Sequence, residues 1–456
     1  MKRETVFDLI GIGFGPSNLS LAVRLAEEAG TANLAHCFVE RQAEFGWHRG
    51  MLLDDCRMQI SFLKDLVTQR DPTSRFTFIN YLFERGRLNE FVNLKNFYPT
   101  RVEFHDYLNW VADAFEECVH YSQTVTAIEP ILEAGASGEI AALRVLSQDG
   151  EGREWQRVTR ALSVGIGGAA RVPEAFAALG PHNVIHSSGY LNSIERVVGK
   201  PDGGTKRVAV IGAGQSAVEV FSDLARRFTH VDASLVIRSG ALKPADDTPF
   251  VNEIFSPAYT DVVYSQSEDA RRALIERFRD TNYAVVDRPL IEQIYEMLYL
   301  QTVTDDARHR LLANTAIEGA VRTANGQIEL TMHDRLTGHA RAERFDALVL
   351  ATGYRRDTHL ALLEGLAPHL GDALATPSVG RDYRLATPAH FKPRIYLQGC
   401  CEDSHGLSDT LLSVLAMRSD EIVASLAQRA ADRHAGGQPA DTKKNGVSGG
   451  RVAFAL

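Results

Sequence analysis

Two short apolar runs, Val6 to Ile10 and Val208 to Ile211, each give way to a glycine-rich turn and then to apolar residues with helical spacing. An unbroken apolar run of that length reads as a strand buried on both faces, and the period of 3.6 after it as a helix packed back on the sheet. Further strands of the same kind are expected at Ala35 to Val39, Val158 to Gly165, Ala233 to Ile237, Phe345 to Leu350 and Ile395 to Gln398. Phe104, Tyr107, Leu108, Val111 and Phe115 share one face of a helix expected over Glu103 to Glu117, and a long helix is expected over Thr410 to Ala427. Arg41 to Asp71 mixes polarities and reads as loop and short helices.

The order of these elements predicts an α/β protein with two Rossmann-like dinucleotide-binding domains, the second inserted in the first, plus a small, mostly helical region. The expected boundaries are 1–200 and 345–433 for the outer domain and 205–342 for the inner one, with the helical segment at about 245–300. Gly199 to Gly204 reads as a linker, and the polar, glycine-rich stretch 434–456 is expected to be disordered.

The turns carry the first chemistry. Gly11-Ile12-Gly13-Phe14-Gly15-Pro16 and Gly212-Ala213-Gly214-Gln215-Ser216-Ala217 both have the strand–turn–helix setting in which backbone N–H groups receive a pyrophosphate. Pro16 replaces the third glycine of the first turn, where a helix loses only an N–H that had no partner. The next strand there ends at Glu40, an acid placed for ribose hydroxyls, which suits FAD. After the second turn the next strand ends in Arg238-Ser239, a cation and a hydroxyl suited to a ribose 2′-phosphate, so NADPH is favoured over NADH.

Composition narrows the classes. Apolar residues make up 45% and charged residues 23%, as in a soluble globular protein, and the net charge of −9 implies no basic surface for nucleic acid or anionic lipid. Five cysteines without a CxxC pair argue against a disulfide framework, a zinc site or a dithiol redox centre; no metal is expected. No apolar stretch approaches a membrane span, Asp8 interrupts what would be a signal-peptide core, and a cytoplasmic protein is expected. Asn18-Leu19-Ser20 matches a glycosylation pattern but falls in the first helical turn, and is read as coincidence.

Two nucleotide domains fit several flavoenzyme groups. Disulfide reductases need a cysteine pair beside the flavin, which is missing. Of the Phe-x-Gly-x-x-x-His stretch shared by Baeyer–Villiger and related monooxygenases, only a degenerate relic remains at His186-Ser187-Ser188-Gly189-Tyr190. Seven other blocks closely resemble the microbial N-hydroxylating flavin monooxygenases: Phe14-Gly15-Pro16-Ser17-Asn18, Gln59 to Leu66, Asp71-Pro72, Phe78 to Leu82, Lys243 to Asp247 with Phe250 to Glu253, Thr281-Asn282-Tyr283, and Ser404 to Ser413. The resemblance runs to about residue 430 and is best to the L-ornithine N-monooxygenases of hydroxamate siderophore biosynthesis.

That resemblance implies roles by position. Glu40 through Trp47 and His48, Gln59 and Val125 would contact FAD with Gly11, Gly13, Gly15 and Pro16, and Thr410, Leu411 and Leu412 would close over the flavin. Gly212, Ala213, Gly214, Gln215, Ser216, Arg238, Asn282, Tyr283 and Ala284 would contact NADPH. Lys64, Asn252, Glu253, Ile254, Phe255, Asn282 and Ser413 would hold the amino acid. It also implies hydroxylation of L-ornithine to N5-hydroxy-L-ornithine by O2 through a C4a-hydroperoxyflavin, with NADP+ retained, in a homotetramer. The residues are consistent with it: a lysine can grip an α-carboxylate, and asparagines supply donors and acceptors without charge. Read alone, Lys64-Asp65 is more often a solvated surface pair, and the asparagines are more often turn or cap residues. No acid–base residue is assigned; His405 competes as a base with a histidine that merely bonds backbone. L-lysine hydroxylation by the same chemistry, a diamine hydroxylase and a non-catalytic NADPH sensor remain alternatives.

Overall fold

The structure, a computed structural model, describes residues 5–31, 34–133, 138–201 and 204–435; the side chains of 429–435, part of the linker stretch and the 436–456 part of the tail lie outside the described residues. Ten strands build two parallel sheets: β1 (Leu9–Ile12), β2 (His36–Val39), β3 (Val119–His120), β4 (Ala161–Val164), β5 (Val184–His186), β6 (Lys206–Ile211), β7 (Val231–Val236), β8 (Arg310–Leu312), β9 (Ala347–Leu350) and β10 (Arg394–Leu397). The first sheet has the order β10-β4-β1-β2-β3 and the second β5-β9-β6-β7-β8, with every neighbouring pair parallel. In β1, β4 and β9 all four residues are buried, as strands covered by helices on both faces must be.

Helix α1 (Pro16–Glu27) follows β1, starts on Pro16 and buries Leu19, Leu21, Ala22, Val23 and Leu25. Helix α2 (Arg101–Asp113) starts two residues before its expected position because the Thr100 hydroxyl accepts the Glu103 N–H at 3.1 Å and caps it. Helix α3 (Gln215–Arg227) follows β6 as α1 follows β1. The helical region comprises Pro249–Asn252, Pro257–Tyr264, Glu268–Phe278 and α4 (Arg288–Thr304). Its small core of Val263 and Ile275 closes on Leu407, which brings this region against the C-terminal segment.

Three expectations need correction. The apolar runs at 6–10 and 158–165 are each split by a charged residue, Asp8 and Arg160, which pair at 3.4 Å. Val6–Phe7 and Glu154–Thr159 pair with each other in a separate four-stranded sheet, and only the halves beyond the break join the first parallel sheet. The 345–350 run also breaks: Phe345 ends an antiparallel strand (Ala340–Phe345), while β9 pairs with β5 and β6 in the second sheet. β5, where no strand was expected, and β9, expected in the outer domain, both belong to the inner sheet, so the boundaries at 200 and 345 are displaced. Finally, the helix expected from Thr410 begins at Leu415 as α5 (Leu415–Ala435), preceded by single turns at Leu407–Thr410 and Leu412–Val414 with Leu411 extended between them.

The crossing between units is narrow. Ala169–Ala170 leaves the first unit antiparallel to the returning Tyr354–Arg355, with Tyr354 opposite Ala170.

Candidate functional site

The first turn can only be built from glycine where it is tightest. Gly13 has φ +80°, and a Cβ there would lie 2.7 Å from the Gly165 carbonyl oxygen; one on Gly11 would enter the Phe38 ring. The next glycine differs: a Cβ on Gly15 would meet nothing within 4 Å, so the loop presents bare backbone at the start of α1. The first turns of α1 and α3 carry no acid that would repel a phosphate. Glu40 is buried, and its two oxygens accept the N–H of Phe14 at 2.6 Å and of Gln42 at 2.8 Å, leaving further lone pairs for ribose hydroxyls. Gln123 N donates to the Glu40 carbonyl, which lays the start of strand Thr124–Leu132, with Val125, along the same edge. These residues fit FAD.

Asn18 holds this turn. Its amide donates to the carbonyls of Gly13 (2.6 Å) and Ile12 (3.2 Å), and its oxygen accepts from Ser163 Oγ (2.7 Å) and Gln398 Nε2 (2.9 Å), fastening the phosphate loop to β4 and to the residue after β10. Trp47 and His48 have ring centroids 4.9 Å apart, and burial with the nearby Arg101 and Arg356 pulls the His48 pKa down to about 4, so it is neutral.

In the second turn Gly212 has φ +147°, and its missing Cβ would lie 2.3 Å from the Ala351 carbonyl oxygen at the end of β9. Ala284, a non-glycine residue at φ +59°, sits across from Gly214, 3.6 Å from that residue's Cβ position. Tyr283 donates its hydroxyl to Glu402, so the 282–284 segment spans from the second nucleotide turn to the segment that precedes Thr410. The Gln215 side chain is occupied by Asp287 and Glu219, so its backbone N–H is what it offers a nucleotide. Arg238 is exposed at the end of β7 and, among the described residues, has no acid partner. The set fits NADPH.

Lys64 is half-buried; desolvation lowers its pKa and the facing Glu253 opposes the shift. The structure thus joins the 61–66 turn to the 249–255 segment, where Ile254 is buried, Phe255 is packed into the helical core and Asn252 donates to the Asp247 carbonyl. Ser413 Oγ is buried without a hydrogen-bond partner, an orphaned polar atom of the kind a bound group satisfies. The Asn282 side chain likewise has no partner among the described residues. Gln59 is exposed and donates to Asp287 Oδ1 at 3.1 Å, across to the second unit. His405 is buried, stacked on Tyr383 at 4.1 Å and set against the Arg381 carbonyl; burial pulls its pKa to about 4. It is a packed, neutral histidine rather than an accessible base.

Two networks escape sequence reading. Arg418 donates to the Asp409 carbonyl (2.7 Å) and carboxylate (3.1 Å) and to Ser17 Oγ (3.0 Å), while Asp409 Oδ2 accepts Cys401 N at 2.7 Å. This buried pair anchors the 401–413 segment to the start of α1. Arg101 makes a bidentate pair with buried Glu219 (2.8 and 3.0 Å), which continues through Gln215 and Asp287 to Gln59 and ties the two units. Arg418 left one signal, a lone charge in an apolar helical face; Arg101 left none.

Two parallel sheets, one with buried Glu40 after its second strand and the other with exposed Arg238, each feeding a glycine turn into a helix, are the framework of an FAD- and NADPH-dependent oxidoreductase. Residues 5–356 match the model of the L-lysine 6-monooxygenase/L-ornithine 5-monooxygenase family, and the chain belongs to that family. An L-ornithine N(5)-monooxygenase of Burkholderia cepacia is 77% identical over 406 residues, covering 89% of this chain and 91% of the relative. Among solved structures, the ornithine hydroxylase PvdA of Pseudomonas aeruginosa is 47% identical with a TM-score of 0.87, covering 93% of this chain and 100% of the other. The Kutzneria sp. 744 ornithine N-hydroxylase, described with FADred, NADP+ and L-orn, is 38% identical with a TM-score of 0.86 over the same shares.

Proposed function

We propose that this protein hydroxylates the side-chain amine of L-ornithine to N5-hydroxy-L-ornithine, consuming NADPH and O2, to supply a hydroxamate siderophore. Bound FAD, reduced by NADPH, activates the oxygen that is transferred. The chain's own residues bind, orient and keep water out. Lys64 receives the α-carboxylate, Asn252 and Asn282 contribute amide contacts near the α-ammonium, and Ser413 offers its unsatisfied hydroxyl beside the segment 410–412. The amine must arrive neutral, and a dry pocket favours that form.

The observation that carries the reading is the half-buried Lys64 ammonium facing Glu253, one charge for each end of an amino acid's zwitterionic head. The 77% identity to an ornithine enzyme supports ornithine over the longer lysine. We also infer a cytoplasmic homotetramer. No helix among the described residues is long and apolar enough to cross a membrane, and α4 leaves Tyr295, Tyr299, Leu300 and Val303 exposed, an apolar face suited to association.

The test is NADPH oxidation by the FAD-loaded protein with ornithine, lysine, putrescine or no amine, alongside a hydroxylamine assay. Hydroxylamine formed with ornithine, in step with NADPH consumed, is the expected result. Consumption that yields only hydrogen peroxide with every amine overturns it.

A further inference from the structure

A second element reaches Arg238 from outside the parallel sheet. The turn between strands Ile328–Asp334 and Ala340–Phe345 carries Arg335, whose Nη1 donates to the Arg238 carbonyl at 3.0 Å. Arg335 N donates to the Asn314 carbonyl, Asn314 N donates to the Ser239 carbonyl, and Asn314 Oδ1 lies 3.2 Å from where a Cβ of Gly240 would stand. The 238–240 turn is thus clasped by two neighbouring turns, one of which sets the Arg335 guanidinium against the backbone of Arg238.

Other arginines of this unit find acids: Arg207, Arg310 and Arg341 converge on Glu343, and Arg344 pairs with Glu329. Arg238 and Arg335 are both exposed, and neither forms an ion pair among the described residues. Two cationic side chains borne on one turn and its clasp, without an acid partner, are an arrangement that a dianion bound there neutralises. The carbonyl contact uses one of the five N–H donors of Arg335 and leaves the others to face outward.

We propose that Arg335 is the second cation of a site for the ribose 2′-phosphate, acting with Arg238 and Ser239 to set the preference for NADPH over NADH. This rests on the reading of Arg238 as the first cation. The specificity is then built by two chain segments almost 100 residues apart, one at the end of a parallel strand and one on an antiparallel hairpin.

Calorimetric titration of the FAD-loaded protein with NADP+ and with NAD+ tests it. Arg335→Ala is expected to weaken NADP+ about three- to tenfold and to leave NAD+ unchanged, with a difference that shrinks as salt is added. Arg335→Lys is expected to recover part of the loss. An equal loss for both nucleotides, or none for either, overturns the proposal. Arg238→Ala separates the two readings: if it lowers the preference for NADP+ and Arg335→Ala does not, only the role of Arg335 fails. If neither variant changes the preference, the assignment of Arg238 fails as well.

Discussion

At the scale of the residue, the site depends on what burial does to charge. Lys64 keeps its ammonium at a cost that a bound carboxylate offsets, so Lys64→Ala should raise KM for ornithine about 10- to 100-fold, the loss of a charge-assisted hydrogen bond. NADPH oxidation without substrate should persist, and steady-state kinetics with both readouts check it. His405 behaves oppositely: the fold holds it neutral, with its pKa pulled from 6.5 to about 4 by burial. Between those values the unfolded chain binds a proton that the native state refuses, so stability is lost as pH falls through that window and no further below it. The contribution is at most about 3 kcal/mol. Urea unfolding at pH 7 and pH 4.5 should show a smaller acid loss for His405→Gln than for the wild type. The sequence made Lys64 conspicuous through its family block, but it could not show that His405 stacks on Tyr383, since that contact joins turns far from either strand pattern.

At the scale of the element, the segment over the expected flavin position is shaped by one buried ion pair. A helix was legible from Thr410 onward because the apolar spacing begins there; Arg418 reaching back to Asp409 and Ser17 explains why it starts only at Leu415. With Asp409 held between Cys401 N and Arg418, Leu411 is extended and the turns on either side stay single. Asp409→Asn keeps the shape but leaves the buried guanidinium uncompensated, and should cost about 3–5 kcal/mol. Thermal unfolding checks the stability, and flavin absorbance after desalting should show weakened FAD retention. The nucleotide turns were legible residue by residue because only glycine satisfies Gly13 and Gly212. Asn18 was not, since an asparagine after such a turn reads as an ordinary first-turn residue until β4 and Gln398 are seen beside it.

At the scale of the whole molecule, the insertion of one nucleotide unit in another was legible from the order of apolar runs, but the membership of β5 and β9 was not. Both are short buried strands, and nothing in their composition says which of two parallel sheets they extend. Among the contacts between units is the Arg101–Glu219 pair, which spans 118 positions and leaves no local pattern. Glu219→Gln removes the charge that Arg101 and Gln215 share. Differential scanning calorimetry should then resolve separate transitions for the two units where the wild type unfolds in one.

The placement of β10 has a consequence for how the protein is made. The inner sheet is complete once β9 has been synthesised, whereas the outer sheet, whose first strand is β1, lacks its edge until β10 emerges more than 40 residues later. A ribosome adding about 5–20 residues per second therefore exposes a finished inner unit while the outer one still waits. The unit begun first is the last to close, and α1 meets its partner α5 only after all ten strands of both sheets have been made.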